Sequence, residues 1–413
     1  MSGGQTGREP ARNDRMLGGL FRHGHATHPQ WRICTELALV QIDGQTQDPA
    51  YARRGNLGFV YVGAPFAASA SEILTLLKLR TGVIDWVGTV GAAIVASGVE
   101  YRDEPAVSIM IAALPPGSFS VFSGTARLPA LGSKTASGAD AAWAALVHAD
   151  PGLGDVDGLI RDLAGKLETG YLFGGLASGD APPLPQFANQ TFSGGLSGVA
   201  FSSDVMMRTR VSQGCSPLAT DHLITACEGN LVTRLDDEPA LDTLLSDLGV
   251  AEAVRESRDG ETLLGALPAE RLRNGLLVGV ASANVQRGYG FADYRVRNVV
   301  GIDPLNRLVA IAEQPAVGER LVFCTRDARA ARQDLIRMAT ELREELESDG
   351  LRIRGGLYVS CVARGQALFG DAGHEMALLQ ANLGEFPLAG FYANGEIARD
   401  TLYGHTGVLT LFV

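Results

Sequence analysis

One arrangement recurs three times along this 413-residue chain: a helix-spaced apolar run, a glycine, a strand of small residues, a polar loop and a second apolar strand. It reads first as ILTLLKLRTGVIDWVGTVGAAIVASGVEYRDEPAVSIMIAAL. It returns as LIRDLAGKLETGYLFGGLASGD followed by TFSGGLSGVAFSS, and closes the chain as MALLQANLGEFPLAGFYANGEIARDTLYGHTGVLTLFV. The copies start about 90 and then 200 residues apart, far from the regular 20–50-residue period of a solenoid. They therefore predict a compact α/β fold with mixed sheets flanked by helices, in two lobes that each hold copies of the strand–helix–strand unit. The hinge between lobes is expected within 204–234, where Gly214 and Pro217 interrupt the pattern ahead of the polar run 236–239.

Local signals fill in the elements. Phe59–Val62 has the β-branched and aromatic composition of a buried strand; Ile73, Leu76, Leu77 and Arg80 follow helical spacing, with Gly82 at the helix end. In the second half, 237–249 reads as a short helix, 275–281 as a buried strand, and 293–313 as two strands joined at an Asp-Pro turn. Ala331, Leu335, Met338, Leu342 and Leu346 mark an amphipathic helix over 326–350, and 355–365 is a strand running into a glycine-bounded loop.

Charge and composition exclude several partners. A net charge of −11, with no basic stripe interleaved with aromatics, repels phosphate backbones and anionic bilayers, so neither nucleic acid nor a membrane is expected. The uncharged run 87–99 is shorter than the roughly 20 residues a spanning helix needs. The first 20 residues read as a disordered tail without the apolar core of a secretory signal, and Met16 offers a second start. Five cysteines, without CxxC spacing, suit neither a disulfide framework nor a zinc site, which points to a reduced cytoplasmic protein.

The polar candidates lie at strand ends. In RHGHATHPQW, alternation puts His23 and His25 on one strand face near His28, a geometry a metal could use; alternatively Thr27 caps a helix entered through Pro29 and running through Cys34, Leu37 and Val40. No metal is assigned. The glycine runs match neither a Rossmann nor a P-loop template. Cys361, with His374 and Glu375 or Asn394, is read either as a thiol nucleophile with its base and orienter or as a small buried hydrophobe ahead of a helix. Arg364, Asn394 and Glu396 suit a small zwitterion, a guanidinium for its carboxylate and a carboxylate for its ammonium. Glu100 occupies the corresponding place in the first copy, and Cys215, Arg297 and Asn298 complete the candidate ligand-binding set.

The succession FRHGHATHPQW, WVGTVG, SGVE, FGGLAS, GGLSGVAF, QGCSPL, VRNVVGID, LYVSCVARG and LAGFYANGEIA resembles the FIST family (F-box and intracellular signal transduction proteins) from about Phe21 to Val413. The resemblance implies an N-terminal FIST domain over 21–215 and a C-terminal one over 216–413. It further implies a non-catalytic sensory module for an amino acid or related metabolite, working through a separate kinase-type signalling protein, since the chain shows no F-box or kinase motifs. Some family members are haem sensors. His405 and His374 are the axial candidates here, although no cofactor is assigned.

Overall fold

A computed structural model describes residues 21–45, 55–124, 142–180, 183–255, 257, 259–272, 275–282, 294–371 and 373–413. The expected N-terminal tail, Met16 and the start of the 293–313 strand pair lie outside these residues.

The first copy runs β1 (Phe21–Thr27), α1 (Trp31–Gly44), β2 (Leu57–Gly63), α2 (Ala70–Thr81), β3 (Asp85–Gly91), a hairpin of β4 (Ala93–Ala96) and β5 (Val99–Arg102), and β6 (Ala106–Ala112). The second runs β7 (Phe119–Ser123), β8 (Ala144–Ala149), α3 (Val156–Ala164), β9 (Tyr171–Leu176), a hairpin of β10 (Pro185–Ala188) and β11 (Thr191–Ser193), and β12 (Leu196–Phe201). The third begins with β13 (Met207–Gln213) and is then interrupted. The interruption comprises β14 (Cys215–Pro217), β15 (His222–Glu228), β16 (Leu231–Leu235), β17 (Glu238–Pro239), α4 (Ala240–Asp247), three shorter helical turns, β18 (Leu276–Ala281), β19 (Arg295–Asp303), β20 (Leu308–Ile311) and β21 (Arg320–Arg326). The third copy resumes with α5 (Ala328–Asp349), β22 (Gly355–Cys361), α6 (His374–Leu383), β23 (Leu388–Ala393), a hairpin of β24 (Glu396–Arg399) and β25 (Thr401–Tyr403), and β26 (Thr406–Phe412).

Each copy contributes one parallel pair, β2 with β3, β8 with β9 and β22 with β23. The hairpin that follows each pair leaves its own sheet. Hairpin β4–β5 extends the third copy's sheet beside β23, β10–β11 extends the first beside β3, and β24–β25 extends the second beside β9. Three six-stranded sheets are thus linked in a cycle. Their inner faces meet in one core, with Phe59 and Tyr61 from the first sheet, Leu146 and Phe173 from the second, and Leu357 and Phe391 from the third. Fully burying a side chain of this size contributes roughly 1.5–3 kcal/mol, so this shared centre helps hold the cycle closed.

The copies also share a backbone device. Gly88, Gly174 and Gly390 stand in register opposite Val60, Val147 and Tyr358, and a Cβ at each glycine would collide with that residue's carbonyl oxygen. A side chain here would separate the parallel pair, which explains the small-residue strands of the repeat.

Helices cover the outer faces. Leu39, Ile42, Ile73 and Leu77 of α1 and α2 pack on the first sheet; Ile160 and Leu163 of α3 on the second; Leu335, Met338 and Leu342 of α5 and Leu379 of α6 on the third. Helix α5 is fixed at both ends: Asp327 accepts from the Arg329 and Ala330 backbone N–H groups, and Gly350 closes it in the left-handed conformation. Two local expectations change. Thr27 ends β1 and donates to the Pro105 carbonyl rather than capping α1, while Leu37 and Val40 lie on the exposed face of α1.

The second lobe is a closed barrel. Strands β21, β15, β16, β20, β19 and β18 form an antiparallel ring, completed where β18 pairs with β21. Leu241, Leu244 and Leu245 of α4 pack with Val278, Val280 and Phe323. The chain leaves the three-sheet body at Gly214 and returns at Asp327, whose N–H donates to the Gly214 carbonyl at 3.2 Å. The two-lobed α/β architecture is present, but all three copies of the repeat fold into one lobe, since each needs the hairpin of another to complete its sheet.

Candidate functional site

On β22 the side chains of Tyr358 and Ser360 share the face toward α6, and Tyr392, in register with Ser360 on β23, joins them. All three donate to Glu375 in the first turn of α6: Tyr358 at 2.8 Å to Oε1, Ser360 at 2.9 Å and Tyr392 at 3.1 Å to Oε2. Arg364, in the loop after β22, completes the cluster with Nε 2.9 Å and Nη2 2.9 Å from Oε1. Both charged residues are wholly buried. Burial alone would lower the Arg364 pKa, but the Glu375 carboxylate outweighs it and holds the guanidinium firmly protonated. Its remaining donors reach toward Ser212 and the His405 carbonyl at 3.4–3.5 Å.

The exchanged hairpin of the first copy closes this cluster from the side. Glu100 Oε1 accepts from the backbone N–H groups of Glu375 at 3.1 Å and Met376 at 3.4 Å, capping α6 from a position 275 residues away in sequence. Burial, then the Glu375 charge, raises the Glu100 pKa. Arg102 donates to the Arg364 carbonyl at 3.0 Å and lies 4.1 Å from the Tyr392 ring centroid.

Only the third copy carries this polarity. Tyr358, Ser360 and Tyr392 occupy the register positions of Val60, Val62 and Val90 in the first copy, and of Val147, Ala149 and Leu176 in the second. The backbone thus forms equally well over apolar residues.

A second buried carboxyl lies nearby. Glu396 opens β24, and its Oε2 accepts from the Thr406 N–H at 3.0 Å and the Thr406 hydroxyl at 2.7 Å. Burial pushes its pKa up to about 7. Burial and the Glu396 charge push the adjacent Cys361 thiol up, so it stays protonated at neutral pH. Burial and three neighbouring arginines lower His405 to about 4.

Beside α6 is a cavity of about 360 Å³. Met376, Leu379 and Gln380 of α6 form one wall, Ser97 and Gly98 at the tip of the β4–β5 hairpin another, and 384–388 with His23 the rest. The helix and hairpin that frame the cavity are therefore the two elements joined by Glu100.

The structure brings together some of the sequence candidates. Glu100 and Arg364 join the cluster around Glu375, and Cys361 and Glu396 adjoin it. His374 is turned away: its Nε2 accepts from Arg332 at 2.6 Å and its ring stacks on Phe369. Asn394 is exposed, bonded through its backbone to Leu176. The thiol–base–orienter set is consequently not assembled, and the zwitterion cradle of Arg364, Asn394 and Glu396 fails because Glu375 already occupies the guanidinium. Cys215 packs with Cys324, Leu277 and Val296 at the base of the barrel. Arg297 donates to the Leu402 carbonyl at 2.9 Å and pairs with Glu313, docking barrel on body; Asn298 is exposed on β19.

Sequence reasoning missed Tyr358, Ser360 and Tyr392, whose signal was hydroxyl residues at alternate positions of otherwise apolar strands. His23 and His25 do share a strand face, with ring centroids 6.4 Å apart, and His25 Nδ1 pairs with the Tyr101 hydroxyl at 2.7 Å. Among the described residues no three His, Cys, Asp or Glu side chains are grouped to hold a metal. Of the two axial candidates, His374 is engaged at Nε2 by Arg332, and His405 is mostly buried beside Arg297, Arg326 and Arg364. Among the described residues no helix is long and apolar enough to cross a membrane.

Comparison with known proteins agrees with this chain's organisation. A Mycobacterium tuberculosis protein described as uncharacterised is 31% identical over 362 residues, spanning 83% of this chain and 88% of its own. A Mycobacterium bovis protein, also described as uncharacterised, is 30% identical over 407 residues, spanning 92% and 97%. The FIST N domain matches residues 56–238, covering most of the first two copies and the start of the barrel. The FIST C domain matches 251–399, the rest of the barrel and most of the third copy. With both signal-transduction domains in order along one chain, this protein belongs to the FIST family.

Proposed function

We propose that this FIST protein is a non-catalytic, cytoplasmic sensory module that binds a small metabolite, an amino acid or a related compound, in the cavity between α6 and the β4–β5 hairpin. The carrying observation is that α6 has one side in the cavity, through Met376, Leu379 and Gln380, and its first turn in the buried cluster, through Glu375. A ligand that shifts α6 acts directly on a charge pair whose geometry has little tolerance. A volume near 360 Å³ suits a ligand of metabolite size. The protonated, buried state of Cys361 and the commitment of His374 to Arg332 favour binding over covalent chemistry. The output would pass to a separate signalling protein of the kinase type.

The test is a thermal-shift screen of the whole protein against amino acids and related metabolites, repeated with Leu379→Trp to fill the cavity. A ligand at a hundred times its Kd stabilises the fold by about 2.7 kcal/mol. A hit abolished by Leu379→Trp supports the reading, and a panel without hits, or hits indifferent to that substitution, refutes it.

A further inference from the structure

The polar lining of the cavity is uneven. Four side chains supply it: His23, Ser97, Gln380 and Glu385. Ser97 Oγ is already engaged, donating to the Phe386 carbonyl and accepting from the Leu388 N–H, both at 2.9 Å. Gln380 Nε2 donates to Glu385 Oε1 at 2.9 Å, which orients that carboxylate and leaves its second oxygen available. His23 is held through its backbone, where Gln45 makes bonds to both its N–H and its carbonyl, while its buried ring Nδ1 has no hydrogen-bond partner. Burial, then the neighbouring His25, lowers the His23 pKa to about 4, so the ring adds no positive charge to the lining at physiological pH.

The lining therefore carries one formal negative charge, on Glu385, and includes neither Lys nor Arg. The remaining walls are apolar: Met376, Leu379, Phe386, Pro387 and Leu388. Resting on the reading of this cavity as the ligand site, we infer that its ligand is recognised as a primary ammonium on an apolar body, with the amine held by the second oxygen of the oriented Glu385 carboxylate. An ammonium brings a positive charge and three donors to the Glu385 carboxylate; a ligand carboxylate would meet Glu385 with no cation beside it. A free amino acid is accommodated only with its carboxylate turned to the mouth.

The experiment uses an isosteric series on one branched chain, 3-methylbutylamine, leucine, 4-methylpentanoate and 3-methylbutanol, titrated calorimetrically into the full-length protein, Glu385→Gln and Leu379→Trp. The expected order is amine, then leucine, then alcohol, then acid. Because Glu385 is exposed, the gain from its charge is modest, about fivefold between amine and alcohol, shrinking toward none in Glu385→Gln and at high salt. Leu379→Trp should abolish all binding. If the acid or the alcohol binds best and Leu379→Trp removes that binding, the amine inference is overturned while the cavity remains the ligand site. If no member of the series binds, the amine inference is again overturned, and the broad metabolite screen alone decides whether the cavity takes a ligand.

Discussion

Arg364→Met tests the buried cluster directly. It removes the Nε and Nη2 donors at 2.9 Å from Glu375 Oε1 and leaves a wholly buried carboxylate with three neutral hydroxyl donors and no cation. Breaking a buried pair from one side costs about 3–5 kcal/mol, because the surviving charge has neither water nor partner. Glu375→Gln strands the guanidinium instead and should cost a similar amount. Removing both charges together leaves no orphan, so the double variant should be far more stable than the sum of the singles, with a coupling of several kcal/mol. Trp31, Trp86 and Trp143 are the only tryptophans in the chain and all lie in the three-sheet body, so urea unfolding followed by their fluorescence reports that lobe without the barrel. A loss below about 1 kcal/mol in Arg364→Met, or additive costs in the double variant, would refute the reasoning, since either result means that the cluster behaves as a solvent-screened surface pair.

Three further outcomes are expected. Glu396 is lifted by burial from an ordinary carboxyl value of 4.5 to about 7, so between those values the folded protein keeps a proton that the unfolded chain releases. The contribution of Glu396 to stability therefore falls as pH rises through this window, by up to about 3 kcal/mol, against the opposite contribution of His23, His148 and His405, which burial lowers; the difference between the native and Glu396→Gln profiles should show that fall, and parallel profiles for the two proteins would contradict the assignment. Iodoacetamide at pH 7.5 should label half-exposed Cys227 well before buried Cys361, and rapid selective labelling of Cys361, read by peptide mass, would revive a thiol-based activity. Replacing residues 215–326 with a short Gly-Ser linker should leave the tryptophan-reported transition cooperative, because Gly214 and Asp327 already adjoin; an aggregated product would show that the barrel is needed to close the body.

Much of this architecture was legible in the sequence because it is written locally. Helix spacing over Ala331–Leu346, the glycine after α2 and the Asp-Pro turn between β19 and β20 each depend on neighbours a few residues away. The three copies were visible for the same reason. What was hidden is non-local. Nothing in the β4–β5 hairpin announces that it will pair with β23 nearly 300 residues later, so Glu100 could be matched to Glu396 by position in the repeat but not to the α6 N-terminus that it caps. Closure of the barrel depends likewise on β18 and β15 flanking β21, which no strand pattern specifies. The polar middle of the last copy was noticed, yet its members separate: Glu396 points into the core, whereas Asn394 and Arg399 face solvent.

The internal repeat supplies a control that a single sequence rarely offers. At three equivalent backbone positions, two copies fold with valine, alanine or leucine, and the third places two tyrosines and a serine on one carboxylate. Apolar residues at such positions are cheaper to bury than hydroxyls and a charge pair. The fold therefore does not require the cluster, as the first two copies demonstrate within the same molecule. Its position under the helix that walls the cavity, capped by a hairpin from another copy, ties a conformationally unforgiving element to a place where two copies and a metabolite-sized space meet. Two copies thus serve as scaffold, while the third carries a polar network whose geometry depends on where α6 lies.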